Sequence, residues 1–216
     1  MPVYLQQSLE NLGVLGLWLM QEPEAWFMQH LDLYPEEQVE LASLKGHRRL
    51  EWLASRHLLH TLYKGLDRVP CIKDQYGKPY LAGMTDHISF SHSRDLVAAI
   101  YSPHAVGIDV QYVVPRITAL RPKFVSSQEA NLTQNADDVH YLHVVWGAKE
   151  SMYKAYGRRQ LDLREHLQVQ WSGNAESLQG SFNGYLQREG LTLYYTIHYR
   201  WFADWVLVYA LEQPPD

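Results

Sequence analysis

The segment VVWGAKESMYKAYG, Val144–Gly157, has the spacing of an amphipathic helix that ends at a glycine. At about 100° per residue, Lys149 lies on the edge of an apolar face made of Val145, Ala148, Met152, Ala155 and Tyr156. Glu150 and Lys154 share another face, where a solvated ion pair would contribute about 0.3–0.5 kcal/mol. Gly147 argues for more than a surface pair, because glycine inside a helix costs about 1 kcal/mol relative to alanine. We therefore expect another group to approach the helix backbone closely here.

The rest of the chain reads as strands and helices in a repeated order. Leu12–Met20 has the pattern of a buried strand, residues 34–65 read as helices, and His87–Ser102 reads as two strands joined by a turn. Strand, helix and hairpin then follow again in the second half. We predict an α+β fold of two similar lobes, residues 1–104 and 105–216, with the active site in the cleft between them. The alternative is one α+β domain whose halves are alike by coincidence.

Composition and charge limit the class of protein. The 216 residues are 46% hydrophobic and 20% charged, as in an ordinary globular protein. A formal net charge of −5 argues against a dedicated nucleic-acid-binding protein. The single cysteine, Cys71, excludes an internal disulfide and a cysteine-rich zinc site, and it suits the cytoplasm. The longest apolar stretch is about half a membrane span, so we expect no membrane association.

The segment GIDVQ, Gly107–Gln111, alternates as a strand does. Ile108 and Val110 are predicted to face the core, and Asp109 and Gln111 to face the other way together. An aspartate between two strong strand formers is unfavourable, but a carboxylate on a rigid strand suits a hard divalent cation. A structural aspartate bonded to nearby amides is the alternative.

The segment ISFSHS, Ile88–Ser93, places serines, including Ser91, on one strand face and His92 at the strand end. A histidine there can donate to a phosphate, although it can equally be structural. The first long helix carries a basic stripe of Lys45, Arg49 and Arg56, and the turn YGKP presents Lys78. These cations could bind phosphate, or they could form a solvated helix face.

At these residues the chain resembles the 4′-phosphopantetheinyl transferases, specifically the two-lobed, single-chain type that activates surfactin synthetase. The resemblance follows the family's order through YGKPYL (Tyr76–Leu81), ISFSHS (Ile88–Ser93), GIDVQ (Gly107–Gln111) and WGAKESMYKAYG (Trp146–Gly157). The family pattern of tryptophan, then Lys-Glu, then lysine four residues after the glutamate, is matched completely. KFVSSQE, Lys123–Glu129, resembles a further element that runs from a phenylalanine to a glutamate.

The resemblance implies two α+β lobes related by a pseudo-twofold, as a pseudo-dimer within one chain, and hence a cytoplasmic monomer. It implies that coenzyme A donates its phosphopantetheine arm to a serine of an apo acyl or peptidyl carrier protein, leaving 3′,5′-ADP. Which carrier protein or pathway is served stays open.

The resemblance also assigns roles to residues. It places Mg²⁺, with Mn²⁺ as a possible substitute, on Asp109 and Glu150. Catalytic roles fall to Glu150, Lys154 and His92. Coenzyme A contacts are implied for Lys45, Arg49, Arg56, Lys78, Pro79, Ser91, His92, Lys149 and Lys154. The base that takes the serine proton is left open between Glu150, Lys154 and a water on the metal.

One position departs from the family pattern. Gln111 stands where many members have a second carboxylate, so its assignment as a third metal ligand is left open. Two further functions remain as alternatives. One is a coenzyme-A- or carrier-binding protein without turnover, for which Gln111 is the best support. The other is an interaction module whose 7 Trp and 15 Tyr residues form a binding surface.

Overall fold

The chain divides into two units, Met1–Pro103 and His104–Asp216, each built around its own antiparallel sheet. The structure is a computed structural model that describes residues 3–63, 67–131, 138–158, 160–171 and 177–214. Two antiparallel sheets with helices confirm the predicted α+β class. Within the described ranges, the helices are too short or too polar to cross a bilayer.

The first unit has a sheet of six strands in the order β1-β2-β6-β5-β4-β3. Its elements are β1 (Leu5–Ser8), β2 (Val14–Leu19), α1 (Glu24–His30), α2 (Pro35–Ser43), α3 (His47–Leu62), β3 (Cys71–Lys73), β4 (Pro79–Leu81), β5 (His87–Ser93) and β6 (Leu96–Ser102). The predicted β2 strand, helices and β5–β6 hairpin are confirmed. The predicted helical stretch to residue 65 runs past the described residues.

The long helix α3 lies directly on this sheet. Its apolar residues Leu53, Leu58 and Leu62 are almost fully buried. A Cβ added at Gly16 of β2 would lie 2.8 Å from Leu62 Cδ2, so a side chain there would push the helix away. The predicted position of Lys45 on this helix is wrong. Gly46, at φ 56°, turns the chain before α3 begins at His47.

The second unit has a sheet of five strands in the order β7-β11-β10-β9-β8. Its elements are β7 (Val106–Tyr112), α4 (Ile117–Leu120), α5 (Ser127–Asn131), α6 (Val139–Tyr156), β8 (Leu167–Gln170), β9 (Gln179–Arg188), β10 (Leu191–Phe202) and β11 (Trp205–Glu212). Helix α6 is the predicted amphipathic helix. It begins where Asp138 accepts a hydrogen bond from the Tyr141 amide, and it ends at Gly157 in the left-handed conformation, φ 69°.

The alternation of β7 is as predicted, and Ile108 and Val110 are buried as predicted, but Asp109 and Gln111 are not on a solvent-facing side. Asp109 and Gln111 face α6, where they contact Lys154 and His143. Ile108 and Val110 lie on the opposite face, beside their β11 neighbours Tyr209 and Leu207, and are buried as well. Because both faces of β7 are buried, the apolar pattern shows the alternation but cannot show which face carries the helix.

A histidine of α3 makes the first unit sensitive to acid. His57 packs edge-on against Trp18, Trp26 and Phe27, at centroid distances of 5.0, 5.0 and 5.7 Å. Its Nδ1 is buried and has no hydrogen-bond partner among the described residues. Burial lowers the pKa of His57 from 6.5 to about 4, so the folded protein holds this imidazole neutral.

We expect His57→Phe to protect the protein from acid unfolding. The folded pKa lies below the unfolded value, so the stability is complete above pH 6.5 and is lost as the pH falls toward 4. The variant should gain up to about 3 kcal/mol over wild type across this window. Urea unfolding measured through the window tests this, with exposed His60→Phe on the same helix as the control. Parallel stability curves for wild type and His57→Phe would contradict it.

Candidate functional site

Two glycines bring strand β7 and helix α6 into close approach. A Cβ at Gly107 would lie 1.9 Å from the carbonyl oxygen of Ser151 on α6. A Cβ at Gly147 would lie 2.6 Å from Val208 Cγ2 and 2.7 Å from Gln111 Nε2. The prediction that another group approaches α6 at Gly147 is therefore confirmed, and the groups are side chains of β7 and β11.

Along this contact, α6 and β7 bring two carboxylates and a lysine together. Lys154 Nζ donates to Asp109 Oδ1 at 2.7 Å and to the Ile108 carbonyl oxygen at 2.8 Å. The Asp109 side chain is only 10% exposed, so this bond is far from a solvated surface pair. Lys154 thus fixes a carboxylate of the strand to the helix that carries Glu150.

Glu150 is the second carboxylate. Burial raises the pKa of Glu150, and the nearby negative charge of Asp109 raises it further, while Lys154 opposes the shift. Asp109 and Glu150 are therefore close enough to repel each other, with Lys154 as a partial counter-charge. A cation between two such carboxylates would relieve this repulsion.

The carboxylates of Asp109 and Glu150 fit a hard divalent cation that is also held by the phosphates of a substrate. Across the ranges described, no group of three or more histidine, cysteine, aspartate or glutamate side chains is arranged to hold a metal. Mg²⁺ commonly takes one or two carboxylates together with substrate phosphates and water. Asp109 and Glu150 supply that number of carboxylates, so the residues present fit magnesium bound along with a phosphate compound.

Gln111 lies two residues beyond Asp109, with both ends of its amide bonded to His143. Gln111 Oε1 is 2.8 Å from His143 Nδ1, and Gln111 Nε2 donates to the His143 carbonyl oxygen at 3.0 Å. His143 is 3% exposed, and burial lowers its pKa. His143 could not be singled out from the sequence, because one of 11 histidines on a helix says little by itself.

Lys149, which is predicted to contact coenzyme A, is already bonded inside the second unit. The Lys149 side chain is fully buried, at 0% exposure, and donates to Glu129 Oε2 and to the carbonyl oxygens of Phe124 and Leu163. Glu129 also accepts from the amides of Ser126 and Val169. This saturated network ties α5 and β8 to α6, so Lys149 has a structural role.

Two residues of the predicted basic stripe, Arg49 and Arg56, are bonded to neighbours within the first unit, while Lys45 is exposed. Arg49 is bonded to the Glu24 carboxylate at 2.6 Å and to the Leu41 carbonyl oxygen at 2.7 Å. Arg56 is buried, with its guanidinium 4.2 Å from the Trp52 ring centroid and 3.6 Å from Glu40. Burial lowers the pKa of Arg56. Both arginines join elements of the first unit, because long cationic side chains also pack their stems and pair with local carboxylates.

The turn between β3 and β4 holds Lys78 as predicted, and Pro79 begins β4. Asp74 Oδ1 accepts from the amides of Tyr76 and Lys78, at 2.8 and 2.9 Å, and Gly77 adopts φ 86°. These bonds form a tight turn in which Lys78 is half-buried.

His92 lies exposed at the end of β5, one residue after the buried Ser91. Its Nδ1 is 3.0 Å from Glu51 Oε1, and His47 Nε2 is 3.6 Å from the same oxygen. Glu51 therefore orients His92 and leaves its Nε2 edge for another partner. The sequence alone did not single out Glu51, because it lies 41 positions away from His92 along the chain.

Comparisons with known proteins find relatives of this chain. Residues 105–210, which contain β7 and α6, match the family described as the 4′-phosphopantetheinyl transferase superfamily. The chain is 28% identical over 109 residues to the 4′-phosphopantetheinyl transferase psf-1 of Bacillus pumilus, covering 48% of this chain and 46% of that protein. It is 31% identical over 140 residues to enterobactin synthase component D of Salmonella typhi, covering 62% of this chain and 58% of that protein.

A further relative is the 4′-phosphopantetheinyl transferase gsp of Aneurinibacillus migulanus, 29% identical over 112 residues, with 50% of this chain and 46% of that protein covered. The matches span about half the length of these curated relatives. The matched region holds the close approach of Gly107 and Gly147 and the carboxylates that it brings together. Through this second unit, the chain belongs to the 4′-phosphopantetheinyl transferase superfamily.

Proposed function

We propose that the protein transfers the 4′-phosphopantetheine arm of coenzyme A to a serine of an apo acyl or peptidyl carrier protein. The observation that carries the proposal is the constellation of Asp109, Glu150 and Lys154, which lies inside the matched region. We further propose that the protein is of the two-lobed, surfactin-synthetase-activating type, that it is a monomer, and that it is located in the cytoplasm.

The proposed reaction makes one phosphorus–oxygen bond and breaks another. The serine oxygen of the carrier attacks the phosphorus next to pantetheine, and the bond to the bridging pyrophosphate oxygen breaks, which releases 3′,5′-ADP. Asp109 and Glu150 would hold Mg²⁺, or Mn²⁺ in its place. When bound, the ion neutralises charge on the pyrophosphate and on the leaving group.

Lys154 has two tasks in this proposal. It holds the Asp109 carboxylate in place, and its ammonium lies where it can offset negative charge on a phosphate. Because Lys154 already donates to the Asp109 carboxylate and to the Ile108 carbonyl oxygen, the proposal does not give it the serine proton. Glu150 or a water molecule is then the acceptor.

For coenzyme A itself, the proposal keeps Lys78, Pro79, Ser91 and His92 as contacts. It leaves out Lys149 and Arg49, whose cationic groups are already paired with Glu129 and Glu24. Glu51 would orient His92 toward a phosphate, as a positioning residue.

Incubation with a panel of apo-carrier proteins tests the proposal. At least one fatty-acid, polyketide or peptidyl carrier should gain the mass of one phosphopantetheine group, and only when coenzyme A and a divalent ion are both present. A carrier whose acceptor serine is replaced by alanine is the matched control. If a known transferase modifies the same panel and this protein modifies none, the proposal fails.

A binding protein without turnover is the second candidate, and Gln111 in place of a carboxylate favours it. In that case coenzyme A would bind, as isothermal titration calorimetry can show, while no carrier in the panel changes mass.

A further inference from the structure

We propose that Gln111 and His143 form a bracket that sets the spacing of Asp109 and Glu150, and that Gln111 is not a metal ligand. This inference rests on the proposed metal site. It concerns how a chain without the third carboxylate keeps the other two in place.

The hydrogen bonds of Gln111 fix the orientation of its amide. The His143 carbonyl oxygen only accepts, so the amide nitrogen of Gln111 must face it, at 3.0 Å. Gln111 Oε1 must then face His143 Nδ1, at 2.8 Å. That nitrogen must carry the ring proton and donate it, and His143 Nε2 correspondingly accepts from the Val114 amide at 3.0 Å. The Val114 carbonyl oxygen also lies 3.2 Å from His143 Nε2, but the bonds to Gln111 and to the Val114 amide assign the tautomer protonated at Nδ1.

The bracket and the lysine fasten β7 to α6 at two points. His143 holds Gln111 at one end of the contact, and Lys154 holds Asp109 at the other end. Glu150 lies between these two points on the helix, seven residues after His143 and four before Lys154. Asp109 and Gln111 are about 7 Å apart on one strand face. Fixing both ends therefore fixes the separation of Asp109 from Glu150.

The Gln111 amide packs tightly between β7 and α6. A Cβ at Gly147 would come within 2.7 Å of Gln111 Nε2, so the glycine is needed for the amide to lie between strand and helix. His143 is almost fully buried, so water does not compete for its ring. An amide already bonded at both ends and held against α6 is a poor ligand, because turning toward a metal would break bonds to a buried partner.

The test is Mn²⁺ binding to the whole protein, followed by electron paramagnetic resonance of the free ion, without coenzyme A or carrier. We expect Gln111→Met and His143→Leu each to weaken Mn²⁺ binding by about 10- to 100-fold, the usual effect of losing a group that orients a ligand. The double variant should bind no more weakly than either single variant, because both remove one interaction. His143→Asn, which keeps a donor near the place of Nδ1, should restore most of the affinity.

The matched control is His140→Ala, an exposed histidine on the same helix, which should bind Mn²⁺ as wild type does. Thermal melts check the fold, and if His143→Leu does not fold, His143→Met takes its place. A loss in Gln111→Met with none in the His143 variant that lacks the donor would show that Gln111 is a ligand, and would overturn the bracket. Unchanged affinity in Gln111→Met would overturn it too. Failure of wild type to bind Mn²⁺ both alone and with coenzyme A present would overturn the metal site of the proposed function, and the bracket with it.

Discussion

Replacing Glu150 by glutamine is expected to lower kcat/KM for carrier modification by about 10²- to 10³-fold, the range for losing one preorganised charge-stabilising group. A neutral amide cannot help Asp109 hold a divalent cation against the pyrophosphate of coenzyme A. Steady-state kinetics at saturating Mg²⁺ measures the loss. Glu165→Gln is the matched control, because the Glu165 side chain is 71% exposed. Near-normal turnover by Glu150→Gln would contradict the ligand assignment.

The same substitution should stabilise the metal-free protein, which separates a chemical defect from misfolding. Burial first, and the charge of Asp109 second, raise the pKa of Glu150 above its ordinary value of 4.5. A raised folded pKa means that stability is present below pH 4.5 and is lost as the pH rises through the folded pKa. In chelator at neutral pH, Glu150→Gln should therefore melt higher than wild type, and the advantage should disappear in acid.

Two lysines of α6 should give opposite results when each is replaced by methionine. Lys149→Met removes the partner of the buried Glu129 carboxylate, and breaking such a pair costs about 3–5 kcal/mol. For a unit of this size we expect Tm to fall by more than about 10 °C. Lys154→Met should lower Tm less than Lys149→Met does, since Lys154 is 27% exposed, and should lose most of its turnover.

The comparison has its own control. Combining Lys149→Met with Glu129→Gln removes the unpaired charge and should recover part of the lost Tm. Thermal melts and turnover of all four proteins, including wild type, measure the contrast. Equal melting temperatures for Lys149→Met and Lys154→Met would contradict the assignment of Lys149 to the core.

Local chemistry explains what the sequence predicted well. The α6 helix was predictable because its apolar face recurs at helical spacing and Gly157 supplies a left-handed end. Gly147 was informative because glycine is unfavourable inside a helix. Its presence indicated that another group packs closely against the helix backbone. The hairpin of β5 and β6 followed from strand alternation around a turn.

The errors arose where partners are distant in sequence. By its spacing, Lys149 lies on the edge of the apolar face of α6. Its partner Glu129 lies on a different helix, 20 residues earlier. Arg49 pairs with Glu24, 25 residues away. The sequence shows which residues carry charge, but pairing depends on how the elements pack. The burial of both faces of β7 likewise hid which of them meets α6.

The most direct test of the account measures 3′,5′-ADP release and carrier modification in the same reaction, for wild type and for Asp109→Asn. The account predicts that wild type releases one 3′,5′-ADP for each carrier serine modified, and that Asp109→Asn, although folded, does neither at a comparable rate. Modification of the carrier by Asp109→Asn at the rate of wild type would contradict it.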